Sequence, residues 1–317
     1  MDSERSVGGS GGAVVDAGPV GIVGLGQMGT PMSRHLIAAG FPVVGYDLDP
    51  ARRTELSTAG GTACSSPHEV VATGASTVIT SLPSADALRA VLTGTDGLLA
   101  GDGAPFGRDG EPRLTIVETS TLAIHDKELA RDDAEAAGAT LLDCPLSGTA
   151  GQAHAKDVVV YASGDASAVE RCAPIFEAFA RAHRHLGPFG AGTKMKLIAN
   201  LLVAIHNVAA AEAFVLAAKA GIDRQSVYDV ITTGAGTSRM FEVRGPMMVA
   251  GDYDQPGVSG QVFQKDLQII ADFARSCACP TPLFTAAAPI YLAALAQGYG
   301  DQDAAAVCAV LERLANA

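Results

Sequence analysis

The chain has 317 residues, 48% of them apolar and 18% charged, which is enough to bury a large core and more than one domain usually needs. Its net charge of −12 argues against nucleic acid or an anionic membrane as partner, because each collects on a basic face. Six cysteines (Cys64, Cys144, Cys172, Cys277, Cys279, Cys308) lack the spacing of a disulfide scaffold or a zinc ribbon, so reduced thiols and a cytoplasmic setting are expected.

Residues 1–18 are rich in Gly, Ser and acid and lack the basic and apolar regions of a secretory signal, so a disordered tail is expected. From 19 to 184 the β-rich runs VGIVG, PVVGYD, STVIT, LTIVETS, TLLDC and DVVVYAS alternate with Ala-rich helical stretches. That alternation predicts an α/β Rossmann domain with a doubly wound, mostly parallel sheet. From 185 to 317 helical periodicity takes over, which predicts an all-α domain. Residues 197–220 are apolar enough to suggest a membrane span, but Asn200, His206, Asn207, Glu212 and Lys219 interrupt them. A buried core helix is the expectation, with no membrane partner. Neither Cys277-Ala278-Cys279 nor His183-Arg184-His185 has a partner cluster, so no metal is expected.

The first strand runs into Gly24-Leu25-Gly26-Gln27-Met28-Gly29, then a helix that stops at Gly40 and a second strand that ends at Asp47. In this strand–turn–helix setting Gly24 permits the tight turn, Gly26 lets backbone approach a pyrophosphate, and Gly29 allows close helix packing. Asp47 follows Gly29 by 18 residues, where a carboxylate binds the ribose hydroxyls and repels a 2′-phosphate. NAD is therefore the expected cofactor, with NADP as the alternative. Arg52 and Arg53 just beyond read as solvated first-turn charges.

Two lysines stand in GAGTKMKLIAN, at the head of the long apolar segment. At about 100° per residue, Asn200 lies about 40° and Asn207 about 20° from Lys196, whereas Lys194 lies about 160° away, beside Glu212. Lys196 thus heads a polar stripe on an apolar helix, while Lys194 reads as a solvent or partner contact. Desolvation would bring the Lys196 pKa toward the range of a general acid or base; the bland alternative is a lysine satisfied at a domain interface.

Four stretches resemble the β-hydroxyacid dehydrogenase family, in order and at family spacing across residues 19–313. They are the glycine-rich turn continued through Thr30-Pro31-Met32, Asp143-Cys144-Pro145-Leu146-Ser147-Gly148-Thr149, Gly190-Ala191-Gly192 through Lys196 to Asn200, and Lys265-Asp266-Leu267. The resemblance implies a long interdomain helix carrying Lys196, and a helical domain that also builds a homodimer or homotetramer interface. It implies Lys196 as general acid/base with Asn200 orienting substrate. Ser120, Ser147, Gly148 and Thr149 would hold the carboxylate of a small anionic hydroxy acid, and Leu82, Pro83 and Lys265 would flank the cofactor. The activity implied is hydride transfer between NAD and a 3-hydroxyisobutyrate-like or four-carbon sugar acid. An NADPH-dependent reductase of an aldehyde acid or imine, and a non-catalytic dinucleotide-binding protein, are the rival readings; the intact Lys196 weighs against the imine reductase and the non-catalytic protein. Thr149 and Lys156 depart from the family's usual glycines, and Glu118 stands where Asp is common.

Overall fold

A computed structural model describes residues 18–100, 114–254 and 257–316. The tail expected over 1–18 therefore lies outside the described residues but for Gly18. In chain order the elements begin with β1 (Val20–Val23), α1 (Gly29–Ala38), β2 (Val43–Tyr46), α2 (Pro50–Thr58), β3 (Thr62–Ala63), α3 (Pro67–Ala72), β4 (Thr77–Thr80) and α4 (Ala85–Thr93). They continue with β5 (Thr115–Glu118), α5 (Ile124–Ala136), β6 (Thr140–Asp143), β7 (Leu146–Ser147), α6 (Ala150–His154), β8 (Val159–Ala162), α7 (Ala166–Phe179) and β9 (Ala182–His185). The helices that follow are α8 (Ala191–Lys219), α9 (Arg224–Thr232), α10 (Arg239–Ala250), α11 (Gly260–Ser276), α12 (Pro282–Ala296) and α13 (Val307–Ala315).

Six strands pair in the order β3-β2-β1-β4-β5-β6, all parallel, with helices between successive strands. Strands such as VGIV are buried at every position, as a sheet covered on both faces requires. The order reverses between β1 and β4, which opens a crevice at the carboxyl ends of those strands. DVVVYAS does not join this sheet: β8 pairs antiparallel with β7 and parallel with β9, and just past it Ser163 bridges Asp143 of β6. The sixth strand of the main sheet is instead the two-residue β3. β9 closes at His185 and α8 opens at Ala191, so residues 186–190 form the link.

The 29-residue α8 is long and apolar enough to cross a membrane by composition, yet it packs against α9, α10, α11, α12 and α13 and against β7 and β8. Phe214 on α8 stacks on Phe241 of α10 at 5.1 Å between ring centroids, in a core of Ala204, Val208, Ala211, Leu267, Ile270 and Tyr291. Most of its apolar length is thus the axle of the helical unit. One stripe, Met195, Ile198, Leu202 and Leu216, faces outward.

Candidate active site

The glycine-rich turn has the geometry its sequence implies. Gly24 holds φ +94°, and a Cβ there would stand 2.2 Å from the Ser81 carbonyl oxygen. At Gly29 a Cβ would stand 1.9 Å from the Gly24 carbonyl, so α1 presses on the turn itself. At Gly26 only Arg52 Nη1 comes near, at 3.2 Å, leaving that backbone open to a ligand. The Leu25 side chain belongs to the core, while its N–H donates to Asp47 Oδ2 at 2.7 Å. Gln27 is exposed and Met28 half-buried at the N-terminus of α1. Asp47 Oδ1 accepts the Asp49 N–H at 2.8 Å, so the carboxylate is anchored at the rim of the turn. Arg52 is exposed, as expected, with Nη1 3.4 Å from Asp47 Oδ2, while Arg53 is half-buried and donates to the Asp47 carbonyl at 2.5 Å. The cause is local, since Asp49 caps α2 through the Ala51 N–H and turns its first residues back over β2. Leu82 and Pro83 follow β4 on the other side of the crevice, with Leu82 Cδ2 3.3 Å from where a Gly24 Cβ would be.

The next strand ends carry polar groups toward the same edge. Ser120 Oγ, just after β5, accepts the Leu82 N–H at 2.8 Å, which leaves its own O–H available as a donor. Lys265 of α11 donates to the neighbouring Thr121 carbonyl at 2.7 Å and so joins the helical unit to this loop. Ser147 lies on β7, and Gly148 holds φ +145° with Val158 pressed against it. Thr149 is committed elsewhere: its hydroxyl accepts the Gln152 N–H as the cap of α6, and its β-carbon and methyl lie close to Gly257. Its hydroxyl lone pairs thus serve the helix, which explains a threonine where the family has glycine. Lys156 adopts φ +58°, the left-handed conformation that glycine usually supplies.

At the head of α8, Gly192 is wedged against two strands: a Cβ there would stand 2.2 Å from the Tyr161 carbonyl and 2.7 Å from that of Asp143. Lys196 is half-buried one turn on, and Lys194 is exposed on the opposite face, as is Glu212. Asn200 is buried and donates to Asp266 Oδ2 at 2.9 Å, while Asp266 Oδ1 is buried without a hydrogen-bond donor, 3.6 Å from Lys265 Nζ. Burial holds the Lys196 ammonium below its ordinary pKa; Asp266 opposes that shift and Lys265 adds to it. Asp266 moves the other way, pushed up by burial against the pull of Lys265 and Lys196. The polar stripe breaks beyond this point. Asn207 donates to Tyr291 Oη at 3.0 Å and the Ala304 carbonyl at 2.9 Å, an internal tie of the helical unit. Asp266 had no assigned role in the sequence, although it stands beside Lys265 in the motif.

A glycine turn opening α1 at the point where the strand order reverses defines a dinucleotide-binding protein. Residues 19–187 match the sequence model for the NAD binding domain of 6-phosphogluconate dehydrogenase, and residues 190–311 the one described as NAD-binding of NADP-dependent 3-hydroxyisobutyrate dehydrogenase. The chain belongs to the β-hydroxyacid dehydrogenase family and binds NAD or NADP. An L-threonate dehydrogenase of Cupriavidus necator is 36% identical over 91% of this chain and 94% of its own length. A probable 3-hydroxyisobutyrate dehydrogenase of Mycobacterium bovis is 34% identical over 94% of this chain and 99% of its own. The crystal structure of 3-hydroxyisobutyrate dehydrogenase from Salmonella typhimurium superposes with a TM-score of 0.80 at 34% identity, covering 92% of this chain and 99% of that one.

Proposed function

We propose that this chain oxidises the hydroxyl-bearing carbon of a small 3-hydroxy acid, with Lys196 as the general acid/base. The observation that carries the reading is the placement of Lys196 one turn before Asn200, which is tied to Asp266, with burial drawing the ammonium below its ordinary pKa and Asp266 opposing that shift. When bound, the nicotinamide accepts or returns the hydride. Lys196 takes the hydroxyl proton during oxidation and gives it back during reduction. Asn200, tethered to Asp266, orients that amine and the substrate hydroxyl. The hydroxyl of Ser120 and the Ser147-Gly148 segment hold the substrate carboxylate, with Thr149 shaping the pocket through its methyl and Lys265 flanking the cofactor. Residues 19–184 then carry the cofactor, and residues 185–317 close the site and form the subunit contact of a homodimer or homotetramer, through the outward stripe of α8. The protein works in the cytoplasm.

A four-carbon sugar acid is the favoured substrate, supported by several L-threonate dehydrogenases at 32% to 36% identity; a branched 3-hydroxyisobutyrate-like acid is the second. NAD is favoured over NADP because Asp47 is fixed at the rim, although Arg52 beside Gly26 is placed to meet a 2′-phosphate. The test is a panel of 3-hydroxy acids and sugar acids with each cofactor, followed by absorbance of the reduced nicotinamide. Turnover of a four-carbon sugar acid with NAD supports the reading, and no turnover of any hydroxy acid overturns it. Asp47→Ala should narrow the preference for NAD by about 1–3 kcal/mol, the worth of a hydrogen bond to a charged group.

A further inference from the structure

We propose that the buried trio Glu118, Lys127 and Asp143 is a positioning device that fixes the helix turn bearing Lys196 relative to the loop bearing Ser120. The inference rests on the reading of Lys196 given above. Glu118 and Asp143 are register partners at the ends of the parallel strands β5 and β6, so two carboxylates stand side by side in the core. Lys127, which is 1% exposed on α5, inserts its ammonium between them, 2.6 Å from Glu118 Oε2 and 2.8 Å from Asp143 Oδ1. In the sequence IHDKELARDD this lysine looks like any solvated helix charge.

Each carboxylate then reaches one side of the site. Glu118 Oε1 accepts the Ser120 N–H at 2.9 Å, and Ser120 Oγ in turn accepts the Leu82 N–H. Asp143 Oδ2 accepts the Thr193 N–H at 2.8 Å, and Asp143 Oδ1 accepts the Thr193 hydroxyl at 2.6 Å. Ser163 adds a third tie, donating to Asp143 Oδ2 at 3.0 Å and accepting the Gly192 N–H at 2.9 Å. These are first-turn amides of α8, which have no partner within the helix and lie at its positive end, where a carboxylate is the favoured acceptor. Thr193 is one turn before Lys196. A continuous chain of short hydrogen bonds and ion pairs, buried up to its last, half-buried link, therefore runs from that turn through Asp143, Lys127 and Glu118 to Ser120 and Leu82.

Buried charge trios contribute little net stability over well-packed apolar residues, whereas their hydrogen bonds are directional. What the trio supplies at this place is geometry, and a displacement of about 1 Å at a reacting centre can lower a rate by about a hundredfold. Lys127 and Asp143 are held charged by each other, so the device stays in one state across the neutral range.

The experiment compares Thr193→Val, Thr193→Ser, Lys127→Met and Asn207→Leu in the full-length chain, reading kcat, substrate KM, cofactor Kd and Tm. Thr193→Val is isosteric and removes one donor to Asp143. It should lower kcat about tenfold with cofactor Kd unchanged, and Thr193→Ser, which keeps the hydroxyl, should restore turnover. Lys127→Met should lower kcat further, about a hundredfold, at temperatures where it remains folded. Asn207→Leu, a lost buried hydrogen bond farther along the same helix, should lower Tm and leave kcat in place. Turnover of Thr193→Val within twofold of native would overturn the inference, provided Lys196→Ala is inactive. If Lys196→Ala itself keeps native turnover, the assignment of the acid/base falls first. If Lys127→Met does not fold, the two Thr193 variants decide the matter alone.

Discussion

Lys127 and Lys196 are both drawn out of water near the carboxyl edge of one sheet, yet their surroundings push the two ammonium groups in opposite directions. Burial alone would lower both. At Lys127 that effect is outweighed by Asp143 and Glu118, each within hydrogen-bond distance, and the proton is held more tightly than in water. At Lys196 burial prevails, because a single carboxylate, Asp266, itself raised by burial, opposes it and a second cation, Lys265, adds repulsion. The comparison shows that the number and state of nearby carboxylates, rather than depth, separates a structural lysine from one that can exchange a proton.

The strongest challenge to this contrast is Lys196→Ala, which should lower kcat by roughly 10²–10⁴ while cofactor affinity measured by calorimetry stays near native. Next in size is Asn200→Ala, expected to lower kcat by about 10–100-fold, since it loosens orientation and leaves the proton carrier in place. Lys127→Met should cost about 3–5 kcal/mol of stability at neutral pH, read from denaturant melts. It should also reverse the pH trend. In the native protein Asp143 sits below its ordinary pKa, so its contribution is present above about pH 4 and lost as acid protonates it. With Lys127 gone, burial raises Asp143 with no cation to oppose it, the folded state binds more protons than the unfolded, and stability rises as pH falls toward about 4.

A smaller effect sharpens the other side of the contrast. On the proposed reading oxidation needs neutral Lys196, so kcat/KM should fall as pH drops through a value lying below the ordinary lysine range. Asp266 favours the protonated amine, so Asp266→Asn should move that acid limb to lower pH. A limb that stays put or moves upward would remove Asp266 from the account. Least of all, Lys194→Ala should remain within a few-fold of native, as its exposed position on the far face implies.

Much of this was legible in the chain itself, for reasons that also mark the boundary of that legibility. The glycine turn and Asp47 were readable because the constraint is local: a positive φ, a close approach and a helix start within six residues. Lys196 and Lys194 could be told apart because a single helix fixes their faces. Asn207 shares the face of Lys196 but not its surroundings, since Tyr291 and Ala304 arrive from 84 and 97 residues away. DVVVYAS was plainly a strand, but its sheet depends on distant pairing, and β9, with the sequence AHRH on a half-exposed edge, has no apolar alternation to announce it. Lys127 gave no signal because its two partners lie on neighbouring strands rather than on its own helix.

Gly192 sets a length scale for the chemistry. With no side chain it lets the backbone of α8 rest directly on the carbonyls of Tyr161 and Asp143, and that contact acts as the zero mark of a ruler. Lys196 stands four residues farther, about 6 Å along the axis at the rise of an α-helix. The height of its amine above the sheet edge is therefore graduated by peptide units, and a methyl group at position 192 would lift the whole scale away from that edge without changing the lysine itself.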